Sequence, residues 1–488
     1  MNPRMESTTT TTPRPGRGIV ERLRRVVGDP GIVDRPESLL VYECDGYTLE
    51  RATPDLVILP GNPEEVAEVL RILWAEKIPF VPRGAGTGLA GGTLPVEAPI
   101  MVCTSRLREI EAIDTANRRV VAQAGVINLA VTRAVQDDNL LYAPDPSSQN
   151  ACTIGGNVAE NSGGPHTLKY GVTTNHVLGV ELVLPHGEVV QLGGPVEDRI
   201  GYDLTGLVVG SEGTLGLVTR ATLRLLRAPE SFRTLLGIFD SVERASAAVS
   251  EIIASGIIPA ALEMMDGLIL RAVEEAFHAG LPVDAGAVLL AELDGPEAGL
   301  DAYAEQVRAI CKQFGASEVR TARDQAERTT LWKARKRAFG AVGRLAPNYC
   351  TQDGVVPRTK VPEILRRISA IADRYSLRIG NVFHAGDGNI HPIVLFDERD
   401  HDEVQRVLEA GREILEACID LGGSVTGEHG IGVEKIAQMP LLFSPEDLSA
   451  MMALRDIFDP EHRANPHKLL PDAKVCVEAR APRRQAAM

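Results

Sequence analysis

Two histidines, His384 and His391, bracket the segment Ala385-Gly386-Asp387-Gly388-Asn389-Ile390. A Gly-Asp-Gly core is a tight-turn signal, so a chain reversal there would carry both imidazoles to one end of a hairpin. Glu428 and His429 sit between Gly427 and Gly430, where backbone can bend sharply. His384, His391 and Glu428 are suitable ligands for a divalent transition metal such as zinc or manganese, with positions left open for a substrate. His429 is then left over as a base. On spacing alone a simpler reading competes, in which glycine-flanked histidines only hydrogen-bond nearby backbone. A basic run, Trp332-Lys333-Ala334-Arg335-Lys336-Arg337, falls on a predicted helix and by itself reads as a solvated face.

Such residues need a frame, and three glycine-rich segments supply its outline. The first is Pro82-Arg83-Gly84-Ala85-Gly86-Thr87-Gly88-Leu89-Ala90-Gly91-Gly92-Thr93, with five glycines in nine positions. Glycine permits positive φ, so such a loop can aim successive N–H groups at a phosphate. Gly86-x-Gly88-x-x-Gly91 formally matches the dinucleotide fingerprint, but that pattern has meaning only between a strand and a helix. Here Pro95 and Pro99 rule out a regular helix after the loop, and Ile100–Cys103 reads as another strand. A strand–loop–strand is not a Rossmann unit, which argues against a nicotinamide dehydrogenase. The second segment runs from Thr153 through Gly155, Gly156, Asn157, Asn161, Ser162 and Gly163 to Gly164; the third is Gly210 to Thr219. Three such loops imply a long ligand laid across one domain, because each covers only a few ångströms.

These three segments, in this order, resemble the FAD-binding domain of the vanillyl-alcohol oxidase / p-cresol methylhydroxylase superfamily. The resemblance continues through the His384–His391 segment and Thr426-Gly427-Glu428-His429-Gly430-Ile431-Gly432, over about residues 20 to 473. It is strongest to the family of the FAD-linked glycolate oxidase subunit and its D-lactate dehydrogenase relatives. That resemblance implies an α+β fold: a PCMH-type FAD-binding domain, a ferredoxin-like α+β cap and a C-terminal helical segment. It implies a flavin cradle built from Arg83, Gly84, Gly86, Thr87, Gly88, Gly91 and Gly92 at the pyrophosphate. Ser147, Thr153, Gly156, Asn157, Asn161, Ser162 and Gly163 give further contacts, with Asp145 beside Ser147. Glu212, Gly213 and Val218 are expected at the adenine and ribose end, and Asn465 near the isoalloxazine. The first loop has no histidine to tether the flavin and Cys152 is a poor tether, so FAD is expected to be non-covalent. Relatives place a divalent ion on the counterparts of His384, His391 and Glu428, abstract a proton with the counterpart of His429, and hold a substrate carboxylate with that of Arg335.

The implied reaction is oxidation of a small 2-hydroxy acid, glycolate or D-lactate, to the 2-oxo acid, with hydride passing to flavin N5. Phe339 and Thr351 offer little help to a second carboxylate, which favours a monocarboxylate. The alternatives are a stand-alone D-2-hydroxyglutarate or other D-2-hydroxy acid dehydrogenase, and, from another class, a non-catalytic flavin-fold subunit of a redox complex. A silent subunit would be expected to lose part of the His384, His391, Glu428, His429 and Arg335 set, and this chain keeps all five. The family also implies partners, a second flavin-domain subunit and an iron–sulfur subunit.

Bulk properties agree. The 488 residues suffice for two or three domains. A net charge of −15 with only short basic clusters argues against nucleic acid. No apolar run reaches the roughly 18 residues of a membrane span. Seven scattered cysteines without a CxxC pair suit a reducing compartment and offer no iron–sulfur site. A cytoplasmic protein is expected, peripheral at the inner membrane through its partners. The expected organisation is a disordered tail over 1–17, the FAD domain over 18–230, the cap over 231–440, a segment over 441–475 that returns to the FAD domain, and a loose tail over 476–488. Within the cap, strand–helix–strand occurs twice, followed by helices over 324–344 and 360–374.

Overall fold

A computed structural model describes residues 15–196 and 201–471. The tail expected over 476–488 lies outside the described residues, as does most of the one over 1–17; within the latter, Arg17 already opens a helix, Arg17–Val27.

The N-terminal part holds two sheets. In the first, the strands run Ile32–Val33, Leu56–Ile58, Ile100–Cys103 and Phe80–Arg83 across the sheet, and the last three are parallel. The helix Pro63–Ala75 covers it. Asn62 caps that helix by accepting from the Glu65 N–H at 2.9 Å and donating to the Glu65 carboxylate at 3.0 Å, and Pro63 occupies the first turn. Phe80–Arg83 and Ile100–Cys103 are parallel neighbours, yet the connection between them contains no helix. The glycine run is therefore free to fold over the sheet edge as a loop. The second sheet is antiparallel, with strands in the order Ile110–Asp114, Arg119–Gln123, Leu217–Arg224, Val177–Val183 and Val189–Gly193.

The second glycine segment contains a short helix, Ile154–Glu160, capped by Thr153, that glycine content alone did not suggest. It forms because Gly155 packs where a Cβ would lie 2.7 Å from Ala124 Cβ, so the small side chains let the helix seat directly on the strand loop.

The C-terminal part is built on one large antiparallel sheet. Its first four strands lie in the order Glu318–Thr321, Ser231–Phe239, Ala287–Gly295, Ala261–Asp266. This 4-1-3-2 order of two strand–helix–strand units is the ferredoxin-like arrangement. Arg378–His384, Asn389–Phe396 and Asn348–Thr351 extend the sheet. Strand residues alternate between two buried faces. Leu235, Phe239, Leu289 and Val394 meet the helices Val242–Ala254, Leu300–Gln313, Val361–Tyr375 and His401–Asp420. Leu236, Ile238, Leu290 and Ile393 meet Gly267–Phe277, Gln325–Lys336 and Ala338–Val342. The single helix expected over 324–344 is thus two helices. The chain leaves α geometry at Arg337 (φ −98°, ψ 7°), which turns Ala338, Ala341 and Val342 back into the core. After the helix Pro445–Phe458, the chain returns to the first sheet, where Phe80 N–H donates to Arg463 O and Asn465 N–H to Phe80 O.

Buried charges fasten the two parts together. The Lys169 ammonium and the Tyr170 hydroxyl both bond to Asp294 on the cap strand. His166 lies between Asp145 at 2.9 Å and Glu292 at 3.4 Å. Burial disfavours the imidazolium, but the two carboxylates outweigh it and push the His166 pKa up to about 10. A raised folded-state pKa stabilises the fold fully below the ordinary histidine value and progressively less above it. The gap in thermal midpoint between the parent and His166→Gln should therefore be widest below about pH 6.5 and close as the pH climbs towards 10. A gap that grows over that range in a pH series of melting curves would contradict the bridge.

Candidate active site

The hairpin anticipated at Asp387-Gly388 is present. Arg378–His384 pairs with Asn389–Phe396 so that His384 faces Asn389 and His391 faces Val382. Gly388 turns the chain at φ +83°, and a Cβ there would meet Val356 O at 2.1 Å, so only glycine fits. The reversal brings the two rings to 5.1 Å, perpendicular to each other. Each Nε2 faces the same Glu428 oxygen, at 3.2 Å from His384 and 3.3 Å from His391.

Glu428 and His429 are placed by Asp353. Its fully buried carboxylate accepts from the Thr426 hydroxyl at 2.7 Å and from the N–H groups of Gly427, Glu428 and His429 at 2.8, 3.2 and 2.9 Å. Four donors on one oxygen fold the loop tightly around it. Burial works against this charge, yet surrounding groups, including the Lys435 ammonium at 3.6 Å, hold the carboxyl below its usual range. The His429 ring stacks on His391 at 4.9 Å, with planes 1° apart. Burial lowers its pKa to about 4, so it is neutral near pH 7, and its Nδ1 has no hydrogen-bond partner.

Arg335 is buried beside this cluster, 1% exposed, and forms an ion pair with Glu263. Its Nε, Nη1 and Nη2 nonetheless lack a well-directed hydrogen bond. Glu263 also accepts from His384 Nδ1 at 2.7 Å, which fixes Nε2 as the nitrogen facing Glu428. A cavity of about 340 Å³ gathers Arg335, His384, His391, Glu428, His429, Phe339, Tyr349 and Thr351 with the first glycine loop. A smaller cavity of about 70 Å³, lined by Arg83, Gly92, Glu212, Gly213 and Val218, shares Gly84, Thr93, Gly156 and Glu160 with it. Together they make one groove from the third glycine segment to the histidines. The wall demands glycine: a Cβ on Gly84 would lie 2.5 Å from Thr153 Oγ1. An extended dinucleotide such as FAD fits this cradle.

Most anticipated flavin residues line the groove, including Gly86, Thr87, Gly88, Ser147, Thr153, Asn157 and Ser162. Four do not. Asn161 adopts a left-handed conformation and accepts from Thr174 N–H. Gly91 packs where a Cβ would meet Val433 at 2.5 Å, and Gly163 lies against Thr167 and Glu428. Asn465, expected near the isoalloxazine, is not among the groove-lining residues and donates to the carbonyls of Gly92 at 2.9 Å and Glu212 at 2.6 Å. Arg83 and Glu212 border the groove, but their charged ends hold protein: Arg83 bonds Thr93 and Cys44 O, and Glu212 accepts from the Ile431 and Gly432 N–H groups. Asp145 is occupied by His166 and Lys336. Lys336, read from sequence as solvated, lines the larger cavity.

Sequence reasoning missed Glu263 and Asp353. Glu263 lies in Ala-Leu-Glu-Met-Met-Asp, a strand whose other members are apolar or a helix cap, and a charge inside a buried strand was the available signal. Asp353 sits in a loop with no motif of its own, so nothing local marks it.

Comparison with known proteins completes the assignment. Residues 54–193 match the family model described as "FAD binding domain", and 228–469 the one described as "FAD linked oxidases, C-terminal domain". The chain is 48% identical over 460 residues to the glycolate oxidase subunit GlcD of Escherichia coli (strain K12), covering 94% of this chain and 92% of that one. It is 42% identical to GlcD of Bacillus subtilis (strain 168), covering 92% and 96%, and 33% identical to a D-lactate dehydrogenase of Archaeoglobus fulgidus, covering 85% and 91%. The p-cresol methylhydroxylase structure with substrate bound shares the fold, with a TM-score of 0.77 at 17% identity over 92% of this chain and 96% of that one. The expected PCMH-type FAD-binding fold is the one observed. The chain is an FAD-dependent oxidoreductase and belongs to the FAD-linked oxidase family of the glycolate oxidase subunit GlcD and the D-lactate dehydrogenases.

Proposed function

We propose that the chain oxidises a small 2-hydroxy acid, glycolate or D-lactate, to the 2-oxo acid. The observation that carries this reading is the buried Arg335, whose guanidinium has unused donors in the wall of a cavity that also holds a neutral, unpartnered His429. Arg335 binds the substrate carboxylate by paired hydrogen bonds and fixes its orientation. His429 takes the proton of the C2 hydroxyl. FAD, bound non-covalently along the groove, supplies hydride acceptance at N5. The glycine loops and the cap close water out around the reacting atoms. Gly163, Asn161, Gly91 and Asn465 shape this site.

His384, His391 and Glu428 suit a divalent ion, zinc or manganese, because their ligand atoms lie within 4.8 Å of one another and Glu263 already orients His384. Bound there, such an ion would polarise the substrate hydroxyl. Asp353, His391 and His429 are equally close but suit one poorly, since backbone N–H groups saturate one Asp353 oxygen and Lys435 stands beside it.

Electrons must leave the reduced flavin. Among the described residues no cysteine cluster could hold an iron–sulfur centre, which supports transfer to partners such as a second flavin-domain subunit and an iron–sulfur subunit. No helix among the described residues is long and apolar enough to cross a membrane; we place the protein in the cytoplasm, peripheral at the inner membrane through those partners. The domain boundaries that suit this reading are 18–230 for the FAD domain, 231–440 for the cap and 441–475 for the returning segment.

Lys336 in the cavity wall favours a second reading, D-2-hydroxyglutarate as substrate, although Asp145 at 2.9 Å already answers its charge. Anaerobic bleaching of the flavin by glycolate, D-lactate and D-2-hydroxyglutarate separates the two, and the monocarboxylates should bleach it faster. His429→Asn should keep FAD but slow flavin reduction about 100-fold or more; near-parental reduction in stopped flow would refute its role. Glu263→Gln strands a buried guanidinium, so it should cost about 3 kcal/mol of stability, read as a lower denaturation midpoint. Parental stability in that variant would mean that Arg335 does not depend on Glu263.

A further inference from the structure

The chain carries a net charge of −15, yet one cavity runs against that sign. It has a volume of about 380 Å³, its wall includes His166, Arg328, Lys333, Lys336 and Arg337, and no carboxylate lines it. Two acids stand behind the wall. Glu292, fully buried, accepts from Arg328 at 2.7 and 2.8 Å, and Asp145 bonds Lys336 and His166. Lys333 and Arg337 are exposed and form no ion pair among the described residues. A protonated His166, Arg328 and Lys336 are thus opposed by two charges, and Lys333 and Arg337 by none.

This cavity shares Ser147 and Lys336 with the catalytic cavity, so the two adjoin across Lys336. One helix, Gln325–Lys336, serves both: Arg335 is buried in the site, while Lys333 and Lys336 border the outer cavity. A charged cleft with low-dielectric walls focuses the field and raises the local concentration of the opposite ion. At long range the chain's net charge of −15 opposes the approach of a small anion.

We propose that the outer cavity is an anion-gathering vestibule, through which small carboxylates, the 2-hydroxy acid and its 2-oxo product, pass between solvent and Arg335. The inference rests on the reading of the site given above. Because screening lengths are about 8 Å at physiological salt, the effect should fade as salt is added.

The test uses the FAD-loaded full chain carrying Lys333→Glu with Arg337→Glu. A control with Arg25→Glu and Lys77→Glu makes the same change in net charge at positions that line no described cavity. With glycolate or D-lactate at low salt, the vestibule variant should lose about tenfold in kcat/KM with kcat unchanged, and its dependence on added sodium chloride should flatten. The control should behave like the parent. A second readout needs no turnover. Trp332 lines the vestibule and the chain has two tryptophans, so in a Trp74→Phe background the remaining fluorescence reports on it. Iodide quenching should fall in the vestibule variant while acrylamide quenching holds. If no hydroxy acid reduces the parent flavin, the proposed activity fails and the quenching result still decides the vestibule. Iodide quenching equal to the parent's, or an equal loss of kcat/KM in the control, overturns the proposal.

Discussion

Glu263 has almost no contact with solvent, and its carboxylate touches both Arg335 and His384. A charge in such a place is tolerated only when its partners are fixed. The constraint works in both directions. Arg335 cannot leave without stranding Glu263, and His384 cannot turn its ring without losing the bond at Nδ1. The groups proposed to face the two ends of the substrate are therefore held in one frame by a third residue that need not touch it. That frame is the cap sheet itself: Glu263 lies opposite His384 in the pairing of Ala261–Asp266 with Arg378–His384. Moving either strand by one residue would put one of these side chains on the other face.

The flavin groove obeys a different constraint, which is space. Around Gly84, Gly155 and Gly213 a Cβ would strike Thr153, Ala124 or Pro82 at 2.4 to 2.7 Å. The glycines are thus as much about packing loop against loop as about N–H groups turned to phosphate. Asn465 shows the same economy. It comes from the far end of the chain, yet its amide clamps Gly92 O and Glu212 O, joining the first and third glycine segments.

Much of this was legible in the sequence because local chemistry dictated it. The strand Ile100–Cys103, the doubled strand–helix–strand of the cap and the Asp387-Gly388 reversal depend on neighbours in sequence. What stayed hidden depends on residues far apart. Lys336 reads as a surface lysine until Asp145, 191 positions away, is seen to draw it to the cavity edge. Asp353 has no signature because its ligands are backbone N–H groups of a loop some 75 residues on. Asn161 and Gly91 match a glycine-rich motif by type but turn to internal tasks, which spacing cannot distinguish from ligand contact. The break at Arg337 carries no Gly or Pro at the bend to mark it, and beyond it Ala338, Ala341 and Val342 turn into the core.

The three clustered histidines differ in what surrounds them, and the difference suits them to the separate roles proposed. His384 lies between Glu263 and Glu428; burial opposes its charge, yet the two carboxylates raise its pKa well above the ordinary value. With Glu263 holding Nδ1, a metal ion at Nε2 would take the place of the proton there, which suits a ligand. Among the described residues no carboxylate hydrogen-bonds to the His429 ring; burial lowers its pKa to about 4 and outweighs the Asp353 carboxylate nearby, whose hydrogen bonds go to the backbone of the loop, so the imidazole is neutral. A neutral ring with a free nitrogen suits a base. The stacked His391 separates them while sharing Glu428 with one and a ring face with the other. Environments that push like residues apart in this way mark acid–base assignments more reliably than residue type does, and here they follow from two carboxylates, Glu263 and Glu428, bonded to one ring and from burial without such a bond around the other.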